Sequence, residues 1–192
     1  MSDLPKVLLL GDSIRISYQP HVARLLAGRA TVVGPAENCQ TSLYTLSSLN
    51  RWIDELGEPV VVHWNNGLHD AGTNPDRSPR QIPMAMYTDN LALILRRLRT
   101  ITPDCVWATS TPVHPDYPCG DTHWSWRNED IDRYNAAARA VMEEAEVPIN
   151  DLHRRVWENR PQFLSEDRLH LSEAGQRKCA TDVAACISTF LK

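Results

Sequence analysis

The sequence has no apolar run that approaches the roughly 18 residues of a membrane-spanning helix. It also has no run of basic residues, and its net charge is -4, which argues against nucleic acid or a membrane surface as a partner. The apolar segment at residues 7–10 is shorter than the roughly 7–15 residues of a signal-peptide core. We therefore expect a cytoplasmic protein.

Cysteines and histidines lack the spacing of a metal site. None of the five cysteines forms a C-x-x-C pair, and the odd count fits reduced thiols better than a disulfide framework. Four histidines have no ligand-type spacing to acidic residues or cysteines: His21, His63, His114 and His123. Residues 11–16 supply few of the Ser, Thr and Gly residues that a flavodoxin-type cofactor protein needs. We expect neither a metal nor a cofactor.

Short apolar segments alternate with segments of helical periodicity. The sequence predicts strands at residues 6–10, 30–33, 59–64, 104–108 and 147–149. It predicts helices at residues 21–27, 43–56, 84–99, 130–145 and 172–191. This alternation is typical of a parallel sheet with helices on both faces. Because the 192 residues contain no repeat or linker, we expect a single domain over residues 1–192.

Two long loops follow predicted strands, at residues 65–83 and 110–127, and both are rich in Pro, Gly, Asn and Asp. Long loops in a compact domain are usually functional. Because both follow strands, they are expected at the carboxyl edge of the sheet, where open α/β sheets bind their ligands.

The first predicted strand ends at Gly11, Asp12 and Ser13. Glycine permits a sharp turn, so the serine can project above the edge of the sheet as a nucleophile. The alternative is that Ser13 merely caps the following helix.

An aspartate and a histidine stand three residues apart near the end of the chain, Asp167 and His170. On one turn of chain, the carboxylate can bind the ring Nδ1 and leave Nε2 free for a serine hydroxyl. The alternatives are a surface ion pair and a partly buried histidine whose hydrogen bonds are satisfied. With Ser13, the pair provides the three groups of a hydrolytic nucleophile relay.

Two small polar turns, residues 37–42 and 65–70, follow the second and third predicted strands. Their backbone and amide N–H groups can stabilise an oxyanion. Taken alone, each of them is better explained by ordinary turn chemistry.

Taken in order, these motifs resemble the SGNH hydrolase family, also called GDSL esterases, over nearly the whole chain. The family is defined by short sequence motifs, called blocks. The turn that ends at Ser13 resembles the first block, which contains the nucleophile, and the pair Asp167 and His170 resembles the last. The second and third blocks correspond in place to residues 38–42 and 65–70. The resemblance implies an α/β fold, namely a three-layer α/β/α sandwich with a flavodoxin-like parallel sheet of about five strands. It also implies metal-free ester hydrolysis.

The resemblance further implies a role for each site residue. Ser13 would attack the ester carbonyl, His170 would accept its proton, and Asp167 would orient His170. The N–H groups of Ser13 and Cys39, together with the side-chain amide of Asn65, would form the oxyanion hole.

This chain departs from the family pattern in two blocks. Cys39 stands where the second block usually has glycine, and residues 67–70 read G-L-H-D where the third block usually reads G-x-N-D. The missing amide is assigned to Asn65, which directly follows a predicted strand, with Asn66 and His69 as alternatives.

The substrates implied by the resemblance are small-molecule or carbohydrate esters with short acyl groups, including O-acetyl groups on sugars. Arg15, Trp124 and Trp126 are candidates for substrate contact; the alternatives are a solvent-facing arginine and tryptophans that pack the loop. Acyl transfer to an alcohol and a noncatalytic binding module on the same fold are the competing functions.

Overall fold

The computed structural model describes residues 4–74, 80–117 and 124–191. A sheet of five parallel strands in the order β2-β1-β3-β4-β5 forms its centre. The strands are β1 (Lys6–Leu10), β2 (Thr31–Val33), β3 (Val61–Trp64), β4 (Cys105–Ala108) and β5 (Ile149–Asn150). Each of them overlaps a predicted strand.

Helices cover both faces of this sheet. They are α1 (Ser13–Leu25), α2 (Ser42–Leu56), α3 (Leu68–Ala71), α4 (Met84–Arg99), α5 (Asn128–Glu144), α6 (Leu152–Trp157), α7 (Arg160–Phe163) and α8 (Glu173–Ser188). Helix α1 packs against α8, whereas α4 packs against α2 and α5, and a buried apolar cluster lies on each side. The expected three-layer α/β/α sandwich with a flavodoxin-like sheet is confirmed. Among the described helices, none is long and apolar enough to cross a membrane.

The first helix differs from its prediction. We expected a short helix at residues 21–27, but α1 begins at Ser13 and continues through Pro20. The carboxylate of Asp12 caps the helix by accepting a hydrogen bond from the N–H of Ile14 at 2.9 Å. Proline is tolerated because its ring faces solvent, and the carbonyl that loses a partner belongs to the exposed Ile16.

The strand order places the site-bearing loops together. Strand β2 lies on one side of β1, and β3 lies on the other side. The direction in which successive strands are placed in the sheet therefore reverses between β1 and β3. In open α/β sheets, ligands bind outside the carboxyl ends of the strands at this point. The loops after β1, β2 and β3 all reach it.

The described cysteines are free thiols, as expected. Cys39, Cys105 and Cys179 are buried, and Cys186 is partly exposed. Burial raises the pKa of Cys105 to about 11 and that of Cys179 to about 12. The fifth cysteine, Cys119, lies outside the described residues.

One histidine is buried in the sheet. His63 lies in β3 with no solvent exposure, and its Nε2 is 3.1 Å from the side-chain nitrogen of Asn150. Burial lowers the pKa of His63 to about 4, whereas an unfolded histidine titrates near about 6.5. Because the unfolded chain binds a proton that the folded protein excludes, this stabilising contribution is present above about pH 6.5 and is lost toward about pH 4.

The His63→Leu variant should therefore lose less stability in acid than the native protein. Its free energy of unfolding, relative to that of the native protein, should rise by about 3 kcal/mol between about pH 7 and about pH 4. Urea unfolding across this range measures the difference. The variant His21→Leu, at a partly exposed position of α1, controls for the loss of a histidine as such, and a pH-independent difference for His63→Leu would contradict the expectation.

Candidate active site

Ser13 and His170 are in hydrogen-bond contact although they are 157 positions apart in the chain. Ser13 is the first residue of α1, directly beyond β1. Its Oγ lies 2.9 Å from His170 Nε2. The turn before it requires glycine, because a Cβ added to Gly11 would lie 2.8 Å from the Cβ of Arg15.

Asp167 holds the other side of the His170 ring. One carboxylate oxygen lies 2.6 Å from His170 Nδ1, and the second accepts hydrogen bonds from the N–H of Leu169 at 2.9 Å and the N–H of His170 at 2.8 Å. Ser165 donates to that second oxygen at 2.7 Å. A tight turn through Arg168, whose φ is 65°, brings these groups together.

These contacts set the charge and the tautomer of the pair. Partial burial opposes ionisation of Asp167, but the hydrogen bonds from Ser165, Leu169 and His170 outweigh it and hold the pKa of Asp167 well below its usual range. A charged Asp167 accepts a hydrogen bond from Nδ1–H, which leaves Nε2 of His170 to accept from the hydroxyl of Ser13. The structure thus aligns the serine, the imidazole and the carboxylate.

The second loop does not fit its predicted role. The N–H of Cys39 donates to the carbonyl of Gly11 at 3.2 Å, and Cys39 is fully buried. This N–H therefore already has an acceptor and does not face the space above Ser13, because the loop packs directly against the turn after β1. The next N–H, that of Gln40, donates to Asn38 Oδ1 at 2.7 Å.

The amide of Asn65 is also engaged. Its Nδ2 donates to the carbonyl of Ala108 at 2.6 Å and to Ser110 Oγ at 3.3 Å, so it links β3 to the end of β4. We predicted Asn65 as the oxyanion donor because it directly follows a strand. That position instead turns its side chain toward the neighbouring strand, whose last carbonyl needs a donor.

Asn66 is held in the same way. It is 1% exposed, and its Nδ2 donates to Thr45 Oγ1 at 2.8 Å and to the carbonyl of Gln40 at 3.3 Å. Asn66 therefore joins the third loop to the second and is not available to a ligand.

His69 is the third-loop candidate that these contacts leave available. It lies in α3 and is partly exposed, and within the described residues its ring has no hydrogen-bond partner. The adjacent Asp70 is fully buried and accepts from Ser42 Oγ at 2.5 Å and from the N–H of Ser42 at 2.9 Å. Burial raises the pKa of Asp70 to about 6. Asp70 thus anchors α3 to the start of α2.

Arg15 and Trp126 do not reach a ligand. Arg15 is 2% exposed, and its guanidinium is bound by carbonyl oxygens of the protein, so it neither faces solvent nor contacts a substrate. Trp126 is buried, and its Nε1 donates to the carbonyl of Leu68 at 2.7 Å. It packs the fourth loop onto the third, which was the alternative to substrate contact.

A groove of about 500 Å³ begins at the second loop. It is lined by Gln40, Thr41, Leu43, Tyr44, Ser47, Asn74, Gln81, Ile82 and Trp124. Trp124 stands in a wall of this groove, whose lining does not include Ser13 or His170, so its contact with a substrate stays a prediction. The described lining contains aromatic, amide and hydroxyl groups and no charged side chain, so it suits an uncharged ligand.

Sequence reasoning missed the roles of Arg15 and Asp70. Both are charged residues that the fold buries. The sequence did contain one indication of these roles: each residue stands within a few positions of the end of a strand, where the site-bearing loops begin.

Comparison with known proteins identifies the family of this chain. The sequence profile of the GDSL-like Lipase/Acylhydrolase family matches residues 9–178, a range that includes Ser13, Asp167 and His170. Among proteins with curated functions, none matches this chain in sequence.

Solved structures share the fold. A lipase/acylhydrolase from Enterococcus faecalis is 20% identical, with a TM-score of 0.82 and 98% of each chain covered. A catalytic mutant of an acetylxylan esterase from Geobacillus stearothermophilus is 15% identical, with a TM-score of 0.74 over 99% of this chain and 95% of that chain. The aryl esterase of M. smegmatis is 14% identical, with a TM-score of 0.75 over 97% and 100%. The sheet and its helices match the SGNH hydrolase fold, and by its sequence the chain belongs to the GDSL-like lipase/acylhydrolase family.

Proposed function

We propose that this protein is a serine esterase that hydrolyses short acyl esters through Ser13, His170 and Asp167. The observation that carries the proposal is the aligned pair of contacts, 2.9 Å from Ser13 Oγ to His170 Nε2 and 2.6 Å from His170 Nδ1 to Asp167. Such contacts activate a serine that is a weak nucleophile on its own.

The reaction follows from the direction of these hydrogen bonds. Ser13 Oγ attacks the ester carbonyl while its proton passes to Nε2 of His170, and charged Asp167 stabilises the resulting imidazolium. His170 then returns the proton to the leaving alcohol, which leaves an acyl group on Ser13. A water molecule, deprotonated by His170, attacks this acyl-enzyme, and His170 returns the proton to Ser13 Oγ as the acid is released.

Two donors are proposed for the oxyanion of the tetrahedral intermediate. As the first residue of α1, Ser13 has an N–H without an acceptor in the helix, and the helix N-terminus favours negative charge. The ring of His69, whose neutral form has one N–H, is the second. The proposal replaces Asn65 and Cys39, whose donors already have acceptors.

His69→Ala should lower kcat by about 10²–10³-fold with little change in KM, because an oxyanion donor acts mainly in the transition state. His69→Asn, which restores the amide usual in the family, should keep much of the rate. Steady-state kinetics on a short-chain aryl ester measures both. Asn65→Ala is the comparison variant; a large kcat loss there with native kcat in His69→Ala would return the role to Asn65.

The proposed substrate is a small ester or an acylated sugar, since the structural neighbours include an aryl esterase and an acetylxylan esterase. Solvent access to the site favours water over an alcohol as the acyl acceptor, since 41% of the His170 side chain is exposed. This exposure distinguishes hydrolysis from acyl transfer in the proposal.

Labelling with an organophosphonate probe tests the proposed function. A probe that reacts with activated serines should modify the native protein at a single peptide, the one that contains Ser13. Ser13→Ala should abolish labelling, whereas Ser17→Ala, in the same helix, should not. A native protein that resists the probe and hydrolyses no ester would support the noncatalytic binding module instead.

A further inference from the structure

We propose that Arg15 is a positioning residue for ester hydrolysis. Its buried side chain binds both the turn that contains Ser13 and the loop after β2, and so holds these two segments together. The inference rests on the proposed function and extends it to a residue outside the reacting groups. Arg15 touches neither Ser13 nor His170 through any hydrogen bond in the described residues.

Every N–H of the Arg15 guanidinium has an acceptor. Nε and Nη2 donate to the carbonyl of Gly11 at 3.4 and 3.3 Å, and Nη2 also donates to the carbonyl of Glu37 at 3.0 Å. Nη1 donates to the carbonyl of Pro35 and to Gln19 Oε1, both at 2.9 Å. Guanidinium has five N–H donors in a rigid planar fork, so these contacts use all of them.

These acceptors belong to separate parts of the chain. Gly11 lies in the turn after β1, two residues before Ser13, whereas Pro35 and Glu37 lie in the loop after β2. None of the hydrogen-bond acceptors is a carboxylate. The cation is bound by carbonyl oxygens and, at 3.7 Å from Nη2, by Cys39 Sγ, so a shift of either segment would leave a buried charged donor unsatisfied. The two segments are therefore fixed relative to each other.

The packing around Arg15 leaves no room for adjustment. A Cβ added to Gly34 would lie 3.2 Å from Arg15 Nη1 and 2.6 Å from the carbonyl of Leu9, and one added to Gly11 would meet Arg15 Cβ at 2.8 Å. Glycine at both positions lets the backbone approach the arginine on two sides.

The loop after β2, which Arg15 binds, is in turn hydrogen-bonded to the loop after β3. Cys39, in the loop held by Arg15, donates its N–H to the carbonyl of Gly11, and the carbonyl of Gln40 accepts from Asn66 Nδ2 at 3.3 Å. Asn66 immediately precedes Gly67 and the helix that carries His69. The spacing between Ser13 and the proposed donor on His69 thus depends on the loop that Arg15 fixes.

Replacing Arg15 should therefore act on kcat. A displacement of about 1 Å at reacting groups can lower the rate by about 10²-fold. Arg15→Met, which keeps the length and loses the donors, should lower kcat by about 10²-fold and leave KM nearly unchanged. Arg15→Lys keeps the charge with three donors in place of five, so it should lower kcat by about tenfold.

A control variant is needed to distinguish a loss of kcat caused by misplaced reacting groups from one caused by lower stability of the fold. Leu98 is fully buried in the last turn of α4, at the opposite end of the sheet from Ser13. Leu98→Ala should destabilise the fold by leaving a cavity but keep the native kcat well below its melting temperature. Thermal unfolding and steady-state kinetics on one aryl ester are measured for all variants, together with phosphonate labelling of the native protein.

A native kcat in Arg15→Met, or an equal kcat loss in Leu98→Ala, overturns the inference. If Arg15→Met does not fold, Arg15→Lys decides, and a native kcat there overturns it as well. A selective kcat loss in the folded Arg15 variants supports it. Failure of the native protein to label and to hydrolyse esters would instead overturn the proposed function, and this inference with it.

Discussion

Ser13→Ala should lower the kcat of short-chain aryl ester hydrolysis by about a millionfold, the loss typical of a missing nucleophile in a triad. The remaining groups keep their places, because Asp12 caps α1 through its own carboxylate and not through Ser13. KM should change little, since the hydroxyl contributes mainly to bond formation. Single-turnover kinetics should also show that no acyl-enzyme forms.

Ser17→Ala is the matched control for this variant. Ser17 lies one turn further along α1, where its hydroxyl donates to the carbonyl of Ile14 at 2.7 Å. It should keep the native rate. If Ser13→Ala retained most of the activity, Ser13 would be excluded as the nucleophile and the 2.9 Å contact with His170 would be structural.

Asp167→Asn should lower kcat by about 10⁴-fold, the loss measured for the equivalent change in a serine protease. An asparagine can still accept from the N–H groups of Leu169 and His170. It carries no charge to stabilise the imidazolium, and its NH₂ group favours the tautomer in which Nδ1 accepts. The hydrogen on Nε2 would then face Ser13, so His170 could not act as a base.

Asp116→Asn tests whether any nearby aspartate has this effect. Asp116 is also within 3.8 Å of a histidine Nδ1, that of His114, but 77% of its side chain is exposed and it makes no contact with Ser13. Its replacement should leave kcat unchanged. Equal losses in Asp116→Asn and Asp167→Asn would show a general electrostatic effect and would remove the orienting role of Asp167.

The sequence predicted the elements whose signals are local. The apolar strand before Ser13 and the three-residue spacing of Asp167 and His170 each depend on adjacent residues only. The structure brings these residues together because β1 lies inside the sheet and α8 packs against α1.

The oxyanion donors could not be chosen in the same way. Asn65, Asn66 and His69 all stand in one short polar turn, and local reasoning favoured the first. Which side chain stays available depends on acceptors in other segments, namely the carbonyl of Ala108 for Asn65 and Thr45 Oγ1 for Asn66. Those neighbours are fixed by the sheet order, which no local pattern encodes.

Two errors near the start of the chain share one physical cause. The first helix was predicted to begin only at residue 21, and Arg15 was expected to contact solvent or substrate. Tertiary structure overrode both preferences: packing of α1 against α8 supports the helix, and carbonyl oxygens replace water around the guanidinium.

The 157-residue separation between Ser13 and His170 has a consequence for biosynthesis. During translation the segment that carries Ser13 emerges first, and its proposed base emerges only after nearly all of the sheet has been made. A nascent chain would thus hold an unactivated serine until the C-terminal helix docks on the first one, an event of high contact order and therefore a slow one. On the proposed mechanism, the onset of esterase activity in newly made protein would report the docking of α8 on α1.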